Sequence, residues 1–155
     1  MVTVQLRIHL QEIQHRGCTN TFCRYHADFM KLPSHNLWQS TVGCRQAKMF
    51  LQGPNKRLTC FAMSLSRKHL RIITGLLTGH VALNRHVTVM KIRTDPLCSK
   101  CGEEEETAYH LLGRCSAMMM ARYSIFGSYL MDITELQQVQ PHTSLRFAKA
   151  SKRFI

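Results

Sequence analysis

Four residues in one short stretch have the types and the spacing to hold a metal ion. Residues 98–115 read C-S-K-C-G-E-E-E-E-T-A-Y-H-L-L-G-R-C, a C-x2-C-x8-H-x4-C pattern made by Cys98, Cys101, His110 and Cys115. Three thiolates and one imidazole are a common closed ligand set for tetrahedral Zn²⁺. Cys98 and Cys101 can grip one ion from a single tight turn, and Gly102 relieves that turn because it lacks a Cβ. Thr107 is placed to cap a short helix over residues 108–112 that carries His110, and Cys115 closes the site just beyond it. A catalytic zinc keeps one position open for water. With four protein ligands at hand, the expected Zn²⁺ is structural, and its removal should melt the region around it. Cys18, Cys23 and His26 do not make a second such set. Their C-x4-C-x2-H spacing has no clear mechanism, and a fourth ligand would have to come from distant His35, so they read as core or loop.

The elements that carry this stretch are expected to be helices. Residues 65–80 make the strongest one, with Ser66 as N-cap, a stripe of Leu70, Ile73 and Leu77, and Gly79 as the stop. Arg67, Lys68 and Arg71 gather on its other side. Positive charge at a helix N-terminus opposes the dipole, so these residues are not there for helix stability. Residues 38–54 predict a helix ended by Gly53-Pro54, with Cys44, Ala47, Lys48 and Leu51 on one face. Residues 58–63 fit a strand or a helix lead-in. Residues 81–90 predict a short helix with Leu83, Val87 and Met90 inward and Arg85 and His86 outward. Pro96 then delivers the chain into the Cys98 turn. Ser116 is read as the cap of a further helix whose core stripe is Met119, Tyr123, Phe126 and Leu130. Asp132 and Glu135 predict a capping box for a helix to about Val139, ended by Pro141. The segment from His142 is basic and amphipathic, and either docks as a last helix or stays loose. Before residue 37 the pattern is weakest, apart from the alternation of Val2, Val4, Leu6 and Ile8, which suggests a short strand. The fold class is mainly α: a small helical domain with a CCHC zinc-knuckle-like insert. Its segments are a poorly defined 1–36, a basic helical 37–94, the knuckle-like module with its following helix at 95–131, and a helical tail at 132–155.

Charge bears on partners. The chain of 155 residues has a net charge of +12. Residues 1–94 hold fourteen Lys and Arg against Glu12 and Asp28, whereas residues 95–155 hold seven of each sign. The whole excess lies upstream of the cysteine motif, which points to a polyanionic partner, most often nucleic acid. The candidate phosphate contacts are Arg45, Lys48, Lys56, Arg57, Arg67, Lys68, Arg71, Arg85, Lys91 and Arg93. Few aromatic residues accompany them, which disfavours a base-stacking reader of single strands. The N-terminal residues lack a secretory leader pattern. No apolar run reaches the ~20 residues of a membrane span. The expectation is an intracellular protein, nuclear or cytoplasmic, without membrane partners. In that setting seven cysteines favour metal ligation over a disulfide framework.

The run I-I-T-G-L-L-T-G-H-V-A-L-N-R-H followed by the cysteine motif resembles the C-terminal end of the pol polyprotein of jockey-like non-LTR retrotransposons. In that family a helix ending in L-L-T-G-H follows the ribonuclease H domain and precedes a CCHC knuckle. The matching positions are Leu77, Thr78, Gly79, His80, Cys98, Cys101, Gly102, Glu106, Thr107, His110, Leu112 and Cys115, with Trp38, Gly43 and Lys48 upstream. The likeness covers about residues 37–155. It implies a tail of a reverse transcriptase and ribonuclease H polyprotein, with the rest of that polyprotein as a possible partner. Ribonuclease H chemistry needs about four carboxylates around two divalent ions. Only Glu12 and Asp28 precede Asp95, and the reverse-transcriptase Y-x-D-D motif is absent. The expected function is therefore a non-catalytic, zinc-binding, nucleic-acid-associated fragment. The alternatives are a structural or protein-interaction zinc module and, less favoured, an active hybrid-cleaving ribonuclease. The knuckle loop departs from the retroviral form: it has eight residues rather than four, including four consecutive Glu that would repel phosphate. The basic surface upstream is the better candidate for nucleic-acid contact.

Overall fold

The computed structural model describes residues 33–154, with side chains from residue 37 onward. The suggested strand at Val2–Ile8 and the trio Cys18, Cys23 and His26 lie outside the described residues. The chain is mainly helical, as expected. In order the helices are α1 (Pro33–Ser40), α2 (Arg45–Phe50), α3 (Lys56–Ser64), α4 (Arg67–Thr78), α5 (Asn84–Val89), α6 (Met119–Phe126), α7 (Ile133–Gln138) and α8 (Pro141–Ala150). Between α5 and α6 lie a π-turn at His110–Arg114 and a 3-10 turn at Ser116–Met118. The only β-pairing among the described residues is one antiparallel bridge, Leu97 to Glu105.

The centre of the fold is α4. Ser66 caps it by accepting the His69 N–H, and Gly79 ends it at φ +82°. Its inward face buries Ile72, Ile73 and Leu76. Docking of α8 against both α4 and α6 settles the open question of the tail. Leu145, Phe147 and Ala148 are buried, and the Phe147 ring stacks on Phe126 at 5.1 Å between centroids. Burying a side chain of that size contributes roughly 1.5–3 kcal/mol. Pro141 stands at the first turn of α8 rather than ending α7, a position where its missing N–H costs nothing. The same contiguous core includes Cys98, Leu111, Leu112 and Cys115, so the cysteine stretch is built into the body of the fold.

Four expectations of detail are corrected. The helix expected over residues 38–54 is two, because Gly43 and Cys44 both take positive φ (97° and 52°) and break the ladder between α1 and α2. Met90 is exposed, since α5 stops at Val89. The expected stripe of α6 holds at Phe126, which packs on the core, and fails at Tyr123 and at Leu130, which lies beyond the helix. Met118 and Arg122 are buried, while Tyr123 and Leu130 are half-exposed. Ser116 does not cap α6, as its hydroxyl donates to Glu103 instead (2.9 Å). The segment left open at 58–63 belongs to α3, whose N-cap Asn55 accepts the Leu58 N–H. The capping box of Asp132 and Glu135 forms as expected.

Candidate metal centre

Cys98 and Cys101 come from a turn that is closed by two backbone bonds, Cys98 N–H to the Glu104 carbonyl and Gly102 N–H to the Cys98 carbonyl, each 2.8 Å. Gly102 sits at φ +70°, a conformation open to glycine at no steric cost. The Leu97–Glu105 bridge seals the base of this loop. On the other side, the Thr107 hydroxyl accepts the His110 N–H (3.0 Å), so Thr107 opens the helical turn as its position suggested. That turn then widens. The Cys115 N–H reaches back to the His110 carbonyl at 2.7 Å, five residues away. The extra residue in the turn brings both His110 and Cys115 round to the turn holding Cys98 and Cys101.

The result is one cluster. The sulfurs of Cys98, Cys101 and Cys115 and a ring nitrogen of His110 all lie within 4.8 Å of one another, so together they could hold a metal ion. Cys98 Sγ to Cys115 Sγ is 3.8 Å, and Cys101 Sγ to His110 Nε2 is 3.3 Å. None of the three cysteines is in a disulfide. Cys98, His110 and Cys115 are buried and Cys101 is half-buried, so water has little access.

Each of the four glutamates in the acidic run has a separate partner, and Glu106 alone of them is buried. Glu103 accepts from Ser116. Glu104 lies 3.0 Å from His110 Nδ1. An ionised carboxylate only accepts, so this contact suits a proton on Nδ1, the tautomer that leaves Nε2 free to ligate beside the cysteines. Holding a ligating histidine by its second nitrogen is a recurring support of metal sites. Glu105 pairs with Arg85 at 2.7 Å. Glu106 is fully buried and receives a forked pair of bonds from Arg153 (2.7 and 2.8 Å), together with the Asn84 backbone N–H (2.7 Å). Burial works against its charge, but the Arg153 and Asn84 bonds hold its carboxyl below the ordinary range.

Arg122 braces the far end of the site. Its side chain is fully buried and, among the described residues, has no carboxylate partner. It donates instead to the carbonyls of Leu112 (2.8 Å), Cys115 (2.9 Å), Leu111 and Tyr129. These include orphan acceptors at the end of the His110 turn, where cations are favoured. Burial pulls its pKa down and the nearby Cys115 pushes it back up, and a guanidinium stays charged at neutral pH.

The thiols answer to this surrounding. Cys101 is half-sheltered, which raises its pKa. The Glu103 N–H, Cys98, the Glu104 N–H and His110 outweigh that and lower it to about 7. Burial, then repulsion from Cys98, pushes Cys115 up to about 12. Three thiolates side by side need a cation among them, and metal binding expels those protons.

The ten basic candidates have different surroundings. Arg67 and Arg71 line one groove with His80, while Arg57 lines a different, largely apolar cavity with Leu58, Ile73 and Leu136. Arg85 is engaged by Glu105, and Arg93 donates to Asn84 Oδ1 (3.2 Å). The Lys48 ammonium donates to the Gln39 and Thr41 carbonyls at the end of α1 (3.3 and 2.5 Å). Arg45, Lys56, Lys68 and Lys91 are exposed. The supporting roles of Glu104, Arg122 and Arg153 were not read from the sequence. The four-Glu run beside a ligand histidine was a signal for the first, while nothing in the spacing links Arg153 to Glu106.

No protein-family model, curated protein or solved structure matches the chain.

Proposed function

We propose that the chain is a non-catalytic, zinc-stabilised module that associates with nucleic acid, akin to the tail of a non-LTR retrotransposon polyprotein. The observation that carries the metal half of this proposal is the convergence of Cys98, Cys101, His110 and Cys115 within 4.8 Å. Zn–S bonds near 2.3 Å in a tetrahedron imply sulfurs ~3.8 Å apart, and a Zn–N bond near 2.0 Å implies a sulfur–nitrogen edge of ~3.5 Å. Cys98 and Cys115 stand at 3.8 Å, and Cys101 and His110 at 3.3 Å. Thiolate-rich sets also select Zn²⁺ over harder ions. A Zn²⁺ with three thiolates carries net charge −1, and the buried Arg122 supplies the opposite charge beside it. Four protein ligands leave no place for a reacting water, so the ion's role is structural.

Nucleic-acid association is supported by the charge asymmetry of the sequence and by exposed basic residues on α2, α3 and α4. It is supported also by the glutamates near the site, which are occupied by partners within the fold. The non-catalytic reading rests on carboxylate supply, with Glu12 and Asp28 the only acids before Asp95. Fluorescence anisotropy with labelled RNA and DNA strands tests the association. The expected result is binding that weakens steeply with salt, as counterion release requires. No binding at low salt rejects it.

A protein-interaction role is favoured by a different observation. Met120, Tyr123, Tyr129 and Leu130 are exposed near one another in sequence, and the two tyrosine rings stack at 4.3 Å. Size-exclusion chromatography with and without nucleic acid separates the two. Self-association that nucleic acid leaves unchanged favours the interaction module.

A further inference from the structure

We infer that the outer face of α4 and the turn after it form a docking groove for the phosphodiester backbone of a nucleic-acid strand. The inference rests on the nucleic-acid reading above and gives it a place on the molecule. The groove measures about 380 Å³ and is lined by Arg67, Leu70, Arg71, Thr74, Gly75, Thr78 and His80. All but His80 lie on α4, at three- and four-residue steps along one face. The opposite face buries Ile72, Ile73 and Leu76 in the core, so the groove is held on a rigid element.

Its shape comes from two glycines in the T-G-L-L-T-G-H stretch. Gly79, at φ +82°, turns the chain back on α4. Gly75 lets it come close, since a Cβ there would lie 2.9 Å from the Val81 Cβ and 3.0 Å from the His80 carbonyl oxygen. The Thr78 hydroxyl fixes the turn by donating to the Thr74 carbonyl (2.8 Å) and accepting the His80 N–H (3.4 Å). His80 is thereby set at the end of the row of α4 side chains, its ring edge-on to His86 at 5.3 Å between centroids.

The donors match an anionic chain. Arg67 and Arg71 are exposed and, among the described residues, neither has an ion-pair partner. They stand one turn apart, about 6 Å along the axis. Each guanidinium can fork onto a separate phosphate of one strand. The Thr74 hydroxyl and the His80 ring add donors further along the same line. No carboxylate lines the groove, and its one ring is the imidazole of His80. The contacts therefore go to phosphate and sugar, which position a strand without reading its sequence.

The test uses the full chain and a short fluorescein-labelled single-stranded RNA, titrated across a salt series. Replacing both groove arginines, R67Q with R71Q, is expected to weaken binding and to reduce the slope of log K against log salt by about 1.4, two phosphate contacts at ~0.7 each. Both side chains are exposed, so folding should be unaffected, and far-UV circular dichroism checks this. The comparison R146Q with K149Q removes the same charge from exposed positions on α8, and its slope is expected to stay close to the parent's. A groove variant whose slope equals the parent's overturns the groove while leaving nucleic-acid association standing. Equal loss from both pairs also overturns it, because the effect is then diffuse charge. A parent chain that binds no strand at low salt overturns both readings together.

Discussion

At the scale of single residues, the buried carboxylate of Glu106 bears on the fold and the exposed one of Glu104 on the candidate metal site. Glu106 is fully buried with its carboxylate forked onto Arg153 and bonded to the Asn84 N–H. Removing one partner of a buried pair typically costs about 3–5 kcal/mol, because the other is left uncompensated. Glu106→Gln keeps the shape and should destabilise the chain by about 3 kcal/mol in urea unfolding, at the low end of that range. The pH dependence follows from the sign of the shift. The carboxyl is held below its ordinary 4.5 in the folded chain. Its stabilising contribution is complete above that value and is lost as pH falls through the lower folded pKa. In Glu106→Gln, the acid limb of the stability profile should be shallower than in the parent over that window. An unchanged limb would mean that the pair does not couple to folding. Glu104 supports His110, in the proposed metal site, rather than the core. Glu104→Gln loses the charged support of His110 Nδ1 and should weaken Zn²⁺ affinity by about 10–100-fold in chelator competition, with a matching loss of about 1.4–2.7 kcal/mol of stability in the zinc-saturated chain and none in the metal-free chain.

At the scale of elements, legibility tracked how local each signal was. The caps at Ser66 and Asp132, the stop at Gly79 and the cap at Thr107 are contacts within four residues, and all four formed where their residue types required. The four ligands were equally legible, because their spacing encodes a turn and a following helix. What was not legible depended on distant partners. The inward place of Arg122 on α6 was missed because an arginine looks like a surface residue until the carbonyls of Leu111, Leu112, Cys115 and Tyr129 are brought around it. The partners of Glu103, Glu105 and Glu106 were not legible because Ser116, Arg85 and Arg153 lie elsewhere in the chain. The split between α1 and α2 needed the positive φ of Cys44, an uncommon state for a residue with a side chain. Gly113 also gave no warning. It lies within the widened turn between His110 and Cys115, and its carbonyl accepts the Met131 N–H at 3.0 Å. A Cβ added there would lie 2.5 Å from the Met131 carbonyl oxygen. Gly113→Ala should therefore destabilise the chain by about 1–3 kcal/mol and weaken metal binding as well, since the turn that presents two ligands must shift. Chemical denaturation at saturating and at limiting zinc reads both effects.

At the scale of the whole molecule, the metal stretch and the helices share one core. Cys98, Leu111, Leu112 and Cys115 pack in the same cluster as Ile73 and Leu76 of α4 and Phe147 of α8. Binding energy at the site is therefore folding energy for the body of the chain. Stripping the ion with a strong chelator should lower the melting temperature in a single transition that takes α4 and α8 with it. Loss confined to residues 95–115, read by hydrogen exchange, would show the site to be a separable appendage. No helix among the described residues is long and apolar enough to cross a membrane. The proposed nucleic-acid association rests on the basic excess and on the groove of α4. The most direct measurement of the central claim is the metal content of the purified chain, by native mass spectrometry alongside the Cys98→Ser variant. One zinc per chain, absent from the variant, is the result expected of four converging ligands. A parent chain that carries no metal after zinc supplementation, with the thiols of Cys98, Cys101 and Cys115 all open to alkylation in the folded state, would contradict it.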